Sequence, residues 1–182
     1  YYAGHGLVDR KGELFLSLSS TETPLLTISA LAVSFIKETM SESPARNRVL
    51  ILDCCFSGRA LDAMSGNASL IAGQLQLPVD GTYILTSTPP NQPAIALVGA
   101  TYTGFTGNLI RLFSDGLPDG PELITLEQVY RHLLVTLPDQ GLPKPLRMGT
   151  NTAELLALTR NPAFPGPVEE PLPDNPPEHH HV

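Results

Sequence analysis

Two adjacent cysteines, Cys54 and Cys55, close an apolar run and Asp53, while His5 stands between Gly4 and Gly6 at a distance of 50 residues from Cys55. A thiol attacks as the thiolate, so a nucleophilic cysteine needs a base or a positive field beside it, and a histidine supplies both. Acyl transfer needs donors for the developing oxyanion as well, and the backbone N–H groups of Gly6 and Cys55 are the natural candidates. Side chains alternate along an extended strand, so Asp53 and Cys55 share one face and Cys54 points to the other. Cys54 is then a packing residue. A bare carboxylate beside the thiol would oppose its ionisation, so Asp53 needs another task, and binding a cationic substrate side chain is one that neutralises it. A zinc site from His5, Cys54 and Cys55 is disfavoured, because cysteines facing opposite ways make poor tetrahedral ligands and no fourth ligand is evident.

The surrounding pattern supplies strands to hold these groups. Val49 to Leu52 are aliphatic without alternation, as in a parallel strand covered on both faces, and Tyr1 to Gly6 read as the end of another strand with a glycine-assisted tight turn around His5. Residues 13 to 19 alternate and predict a half-exposed strand or hairpin arm. Thr27 is read as the N-cap of a helix reaching Met40, with Ile28, Leu31, Phe35, Ile36 and Met40 on its inner face. Strand, helix and strand make a crossover that brings His5 and Cys55 to the same carboxyl edge, where open α/β sheets build their sites.

Further along, Ser57 to Met64 is read as a helix, Thr82 to Thr88 as a third parallel strand, and the passage through Pro93 and Gly99 as a substrate-facing loop. Ser87 and Thr88, at the end of that strand, are open to lining the cleft or to capping. Phe105 to Phe113 and Leu126 to Leu137 have helical spacing, the second with Thr125 and Gln128 as a capping box. His132 is read as structural. Lys144 to Met148 and Ala153 to Leu158 are weaker late strands. From Asn161 onward seven prolines and four acidic residues predict a disordered or loosely draped tail, and His179 to His181 a solvated terminal cluster.

These residues and motifs carry a resemblance. Tyr-Ala-Gly-His5-Gly, followed by Leu-Asp53-Cys54-Cys55-Phe-Ser-Gly, resembles the caspase-like cysteine peptidases, in particular the bacterial metacaspase (orthocaspase) branch. The Thr-Ser-Thr strand end, Phe-Thr-Gly-Asn-Leu and Arg160-Asn161-Pro162 are also similar, so the likeness covers about residues 1 to 164, with 165 to 182 left as the Pro-rich acidic tail. The resemblance implies a three-layer αβα sandwich with a mainly parallel sheet, lacking the family's first strand and helix. It implies a Cys55–His5 dyad, an oxyanion hole from the Gly6 and Cys55 amides, and Asp53 in an acidic S1 pocket preferring Arg or Lys. Calcium activation, known in part of the family, has no acidic cluster here to identify it. No resident cofactor or metal is expected, and calcium activation stays open.

Composition bounds the partners. With 182 residues and 42% hydrophobic content the chain suits one domain with a real core. A net charge of −7 and the lack of a basic block argue against nucleic acid and anionic membranes, and no apolar run reaches a spanning length. Two neighbouring cysteines cannot staple a scaffold, which suggests a cytoplasmic protein with free thiols. There is no initiator Met or signal peptide, so the expectation is a fragment of a longer parent chain whose other domains are partners beside protein or peptide substrates. The competing readings are a catalytically inactive caspase-like scaffold and a thiol amidase of small substrates.

Overall fold

The computed structural model describes residues 1–57, 73–77, 79–88, 101–150 and 152–166. Its main sheet joins β1 (Tyr2–Ala3), β5 (Arg48–Asp53), β7 (Thr82–Thr86) and β9 (Leu146–Gly149) in the order β1-β5-β7-β9. The first three run parallel and β9 is antiparallel to β7. A second sheet has the order β4-β3-β2-β6, from β2 (Gly6–Val8), β3 (Leu14–Leu16), β4 (Leu31–Ala32) and β6 (Phe56–Ser57). A third pairs β8 (Leu123–Thr125) with β10 (Ala157–Arg160), antiparallel.

The aliphatic run of β5 explains the layering, because its residues divide between two cores. Ile51 joins Tyr83 and Leu85 against Phe105, Leu109 and Leu112 of α3 (Gly104–Asp115) and Val129, Leu133 and Leu137 of α4 (Leu126–Asp139). Leu50, Leu52 and Cys54 face the other way, with Ile84, Leu14 and Leu16, onto Val33, Ile36 and Met40 of α2 (Val33–Glu42). The fold is thus mixed α/β, a mainly parallel sheet with helices on both faces. Arg147 of β9 lies 4.6 Å over the Tyr130 ring and pairs with Glu127 and Glu154, which ties this sheet edge to α4.

The capping box at α4 is present as expected: the Thr125 hydroxyl accepts from the Gln128 N–H, and the Gln128 side chain accepts from the Thr125 N–H at 2.6 Å. The helix expected from Thr27 to Met40 is instead broken. Thr27 lies inside a one-turn α1 (Leu26–Ser29), after a 3-10 turn at Thr23–Leu25, and the chain then enters β4 before α2 begins. Backbone pairing of Leu31 and Ala32 with β3 outweighs helix continuation, and it leaves Ile28 and Phe35 on the surface. Residues 13 to 19 also differ. Leu14, Phe15 and Leu16 are all buried, because β3 is an inner strand of the second sheet and not a half-exposed arm. Of the two late strands, the second begins only at Ala157, since Ala153–Leu155 form a 3-10 turn. Ser57 belongs to β6; the rest of the helix expected through Met64, the loop through Pro93 and Gly99, and His179 to His181 lie outside the described residues.

Asn161, assigned to the tail, is buried and serves as a plug. Its Oδ1 accepts from the N–H groups of Leu117 and Ala163 (2.8 and 3.2 Å), and its Nδ2 donates to the carbonyls of Leu117 and Pro121 (2.9 and 3.0 Å). All of its amide hydrogen-bonding capacity is used, which orders the turn after α3 and the chain end that composition alone marks as loose. Asn161→Ala removes four bonds and strands buried backbone groups, so urea unfolding is expected to show a loss of about 2–3 kcal/mol. Asn161→Asp, which cannot donate, is expected to fall between the two.

Candidate active site at the paired strand ends

The site is built by one register. Tyr2 stands opposite Leu52 and Ala3 opposite Asp53 in the main sheet, and Gly6 opposite Phe56 and Leu7 opposite Ser57 in the second, so every pair is 50 residues apart. Both chains leave one sheet and enter the next together, bridged by Gly4 N–H to the Asp53 carbonyl (3.2 Å) and Gly6 N–H to the Cys55 carbonyl (3.1 Å). The same offset sets His5 opposite Cys55, at the carboxyl ends of β1 and β5. The chain bends at Gly4 but does not reverse, so the tight turn expected around His5 is not formed. Glycine at position 4 makes room for the Tyr2 side chain: a Cβ there would lie 2.8 Å from the ring and closer still to its hydroxyl, and the tyrosine would have to shift. Tyr2 folds back with its single hydroxyl proton shared between the carbonyls of His5 (3.0 Å) and Ser17 (2.8 Å). Ser17 N–H in turn donates to the His5 carbonyl at 2.9 Å, and the histidine backbone is held from two sides while the residue itself stays exposed.

The two cysteines are in opposite environments. Cys54 is 2% exposed within the α2-side core. Burial, then the neighbouring Cys55 and Asp53, push its thiol up to about 12. Such a thiol stays protonated and unreactive at neutral pH. Cys55 is only half-buried and free. Its carbonyl takes the Gly6 N–H, so this expected oxyanion donor is engaged in the ladder, while no backbone hydrogen bond to a described residue uses the Cys55 N–H.

Asp53 is 2% exposed and faces α3. Its Oδ2 accepts the hydroxyls of Thr103 and Thr106, the N-cap and third residue of that helix. Thr103 also accepts the Thr106 N–H at 3.0 Å, and since the Thr106 proton is given to Asp53, the Tyr1 hydroxyl must donate to Thr106 (2.5 Å). Two hydroxyls and the positive end of a helix thereby hold the carboxylate. No Lys, Arg or His pairs with Asp53 among the described residues. Sequence reasoning proposed Asp53 but not Thr103 and Thr106. The signal was present in Thr103-Gly-Phe-Thr106, a threonine followed three residues later by another at a helix start.

Beside Asp53 a small cavity is lined by Ser87, Thr103, Phe105, Leu137, Leu142 and Pro143. A reciprocal amide pair between Asn108 and Gln140 (3.0 and 2.9 Å) fixes the end of α4 against α3, which seats this apolar wall. His132 is half-buried on α4, and burial, then Arg111, lower its pKa, in keeping with a structural role.

Among the described residues no group of three or more His, Cys, Asp or Glu gathers as a metal site, and no helix is long and apolar enough to cross a membrane. No protein-family model matches the chain, and no curated protein matches it.

The contrast between the cysteines has two measurable consequences. In the native protein iodoacetamide is expected to modify Cys55 and spare Cys54, as read by peptide mass spectrometry. Because the folded state holds the Cys54 proton more tightly than the unfolded state does, its contribution to stability is complete below about pH 9 and is lost as pH rises toward 12. Urea unfolding should show a fall of about 1 kcal/mol per pH unit above pH 9. Cys54→Ala should flatten that slope up to pH 10, where Tyr83, buried and also raised to about 12, begins to contribute.

Proposed function

We propose that this chain is a caspase-like cysteine endopeptidase domain that hydrolyses protein substrates after basic residues through a Cys55–His5 dyad. The observation that carries this reading is the shared 50-residue register, which sets an exposed histidine opposite a half-exposed cysteine at the carboxyl ends of adjacent parallel strands. Helices on both faces of a mainly parallel sheet are in keeping with it.

In this mechanism His5 takes the thiol proton of Cys55, and the thiolate adds to the scissile carbonyl carbon. The oxyanion is received by the Cys55 N–H, joined by the Gly6 N–H when it exchanges its bond to the Cys55 carbonyl. Collapse breaks the C–N bond, and the leaving amine takes the proton from the His5 imidazolium, leaving a thioester. Water, deprotonated by His5, then adds to the thioester and releases the carboxylate product and the thiol. Asp53 contributes charge. Its carboxylate is screened from water and faces no protein cation among the described residues, so a basic substrate side chain is the partner that complements it.

Cys55→Ala and His5→Ala are each expected to reduce kcat/KM on fluorogenic Lys and Arg peptides at least about 10³-fold, with Cys54→Ala close to wild type. Hydrolysis that survives Cys55→Ala would remove the nucleophile assignment. Asp53→Asn keeps an acceptor for both threonine hydroxyls and deletes only the charge. It is expected to lower the preference for basic over neutral peptides at least about tenfold while leaving alkylation of Cys55 unchanged.

A further inference from the structure

The cavity beside Asp53 contains a second polar group that the reading above does not use. Ser87 is 5% exposed, and its hydroxyl oxygen is fully buried without a hydrogen-bond partner among the described residues. A buried hydroxyl left unpaired costs stability, so its presence on a cavity wall points to a ligand that pairs with it. The backbone puts it there: the Ser87 N–H donates to the Leu52 carbonyl at 3.0 Å, which extends the β5–β7 ladder past Thr86 and brings residue 87 alongside Asp53.

Three of the residues lining the cavity carry acceptors. Both hydroxyls that Asp53 receives go to Oδ2, and no hydrogen bond among the described residues reaches Oδ1. The Ser87 oxygen is the second. Thr103 gives its proton to Asp53 and takes one N–H from Thr106, which leaves it one lone pair as the third. The cavity holds about 20 Å³, enough for one water-sized group, and Phe105, Leu137, Leu142 and Pro143 make the rest of its wall apolar.

We propose that Ser87 is a specificity-determining residue and that this cavity takes a primary ammonium, so that the enzyme prefers Lys over Arg at the residue preceding the cleaved bond. This rests on the peptidase reading. An ammonium is compact and has three donors, which three acceptors satisfy, and its four-carbon stem is apolar like the wall. A guanidinium is planar and wider, with five donors; in a space for one water it meets steric overlap, and at least two of its N–H groups stay unpaired. Asp53 ends β5 and Cys55 follows it by two residues, a backbone span of at most about 7 Å, which is within the reach of a lysine stem.

The test compares fluorogenic peptides that differ only in Lys or Arg at that position, using wild type, Ser87→Ala and Ser87→Thr. The wild type is expected to favour Lys at least about tenfold in kcat/KM. Ser87→Ala should cut Lys turnover about fivefold or more and bring the ratio toward one, while the melting temperature rises because an unpaired buried hydroxyl is gone. Ser87→Thr keeps the hydroxyl but fills the void, and should lose Lys preference without that rise. Equal or better cleavage after Arg by wild type, or a ratio unmoved by both variants, overturns the proposal and leaves the peptidase reading standing. If no peptide is cleaved, the peptidase reading fails, and the pocket is decided by thermal stabilisation with n-butylamine against n-butylguanidine. Stabilisation by the amine alone, lost in Ser87→Thr, supports it; no stabilisation, or equal effects, overturns it.

Discussion

Everything at the candidate site depends on two strands keeping a single register while they change sheets. A parallel pair has no turn to align its members, so register comes from the ladder bonds and from burial of matching side chains on both faces. Here the bonds from Gly4 to Asp53 and from Gly6 to Cys55 carry the alignment across the gap between sheets. A slip of one residue would exchange Cys55 for Cys54 at the rim and send Asp53 toward the α2-side core. Leu50, Leu52 and Cys54 on one face and Ile51 on the other make such a slip costly, because each belongs to a filled core.

The same strand delivers a carboxylate into the apolar layer beneath α3, which requires compensation. The helix start provides it through Thr103 and Thr106, and Tyr1 completes the chain of hydroxyls. One arrangement therefore links the first residue described, the end of β5 and the start of α3. It also leaves Asp53 and Ser87 on a shared cavity wall, the Ser87 hydroxyl unpaired among the described residues, an expensive arrangement in a resting protein and a useful one for recognition.

Local pattern was a good guide where one interaction range decided the outcome. The capping box at Thr125 and Gln128 involves only four consecutive residues, and it formed as read. Strand β5 needed only its aliphatic run, and the alternation rule separated a buried Cys54 from a half-exposed Cys55. Pattern failed where a distant partner competed. The helix expected from Thr27 was cut because Leu31 and Ala32 found β3, and Asn161, in a proline-rich and acidic context, was ordered by backbone groups 40 to 44 residues away.

By itself, then, the sequence determined which residue types were available for chemistry, that Cys55 and not Cys54 faced the rim, and that His5 came from a neighbouring strand end. These follow from alternation and chain spacing, which are local. Only the tertiary structure decided that His5 and Cys55 fall between ladders of one shared register, that the Gly6 amide is bound to the Cys55 carbonyl, and that Asp53 is held by Thr103 and Thr106 beside a Ser87 unpaired among the described residues. Each of those is a contact between segments about 30 to 50 residues apart, set by strand register and helix docking, and no pattern within either segment specifies it.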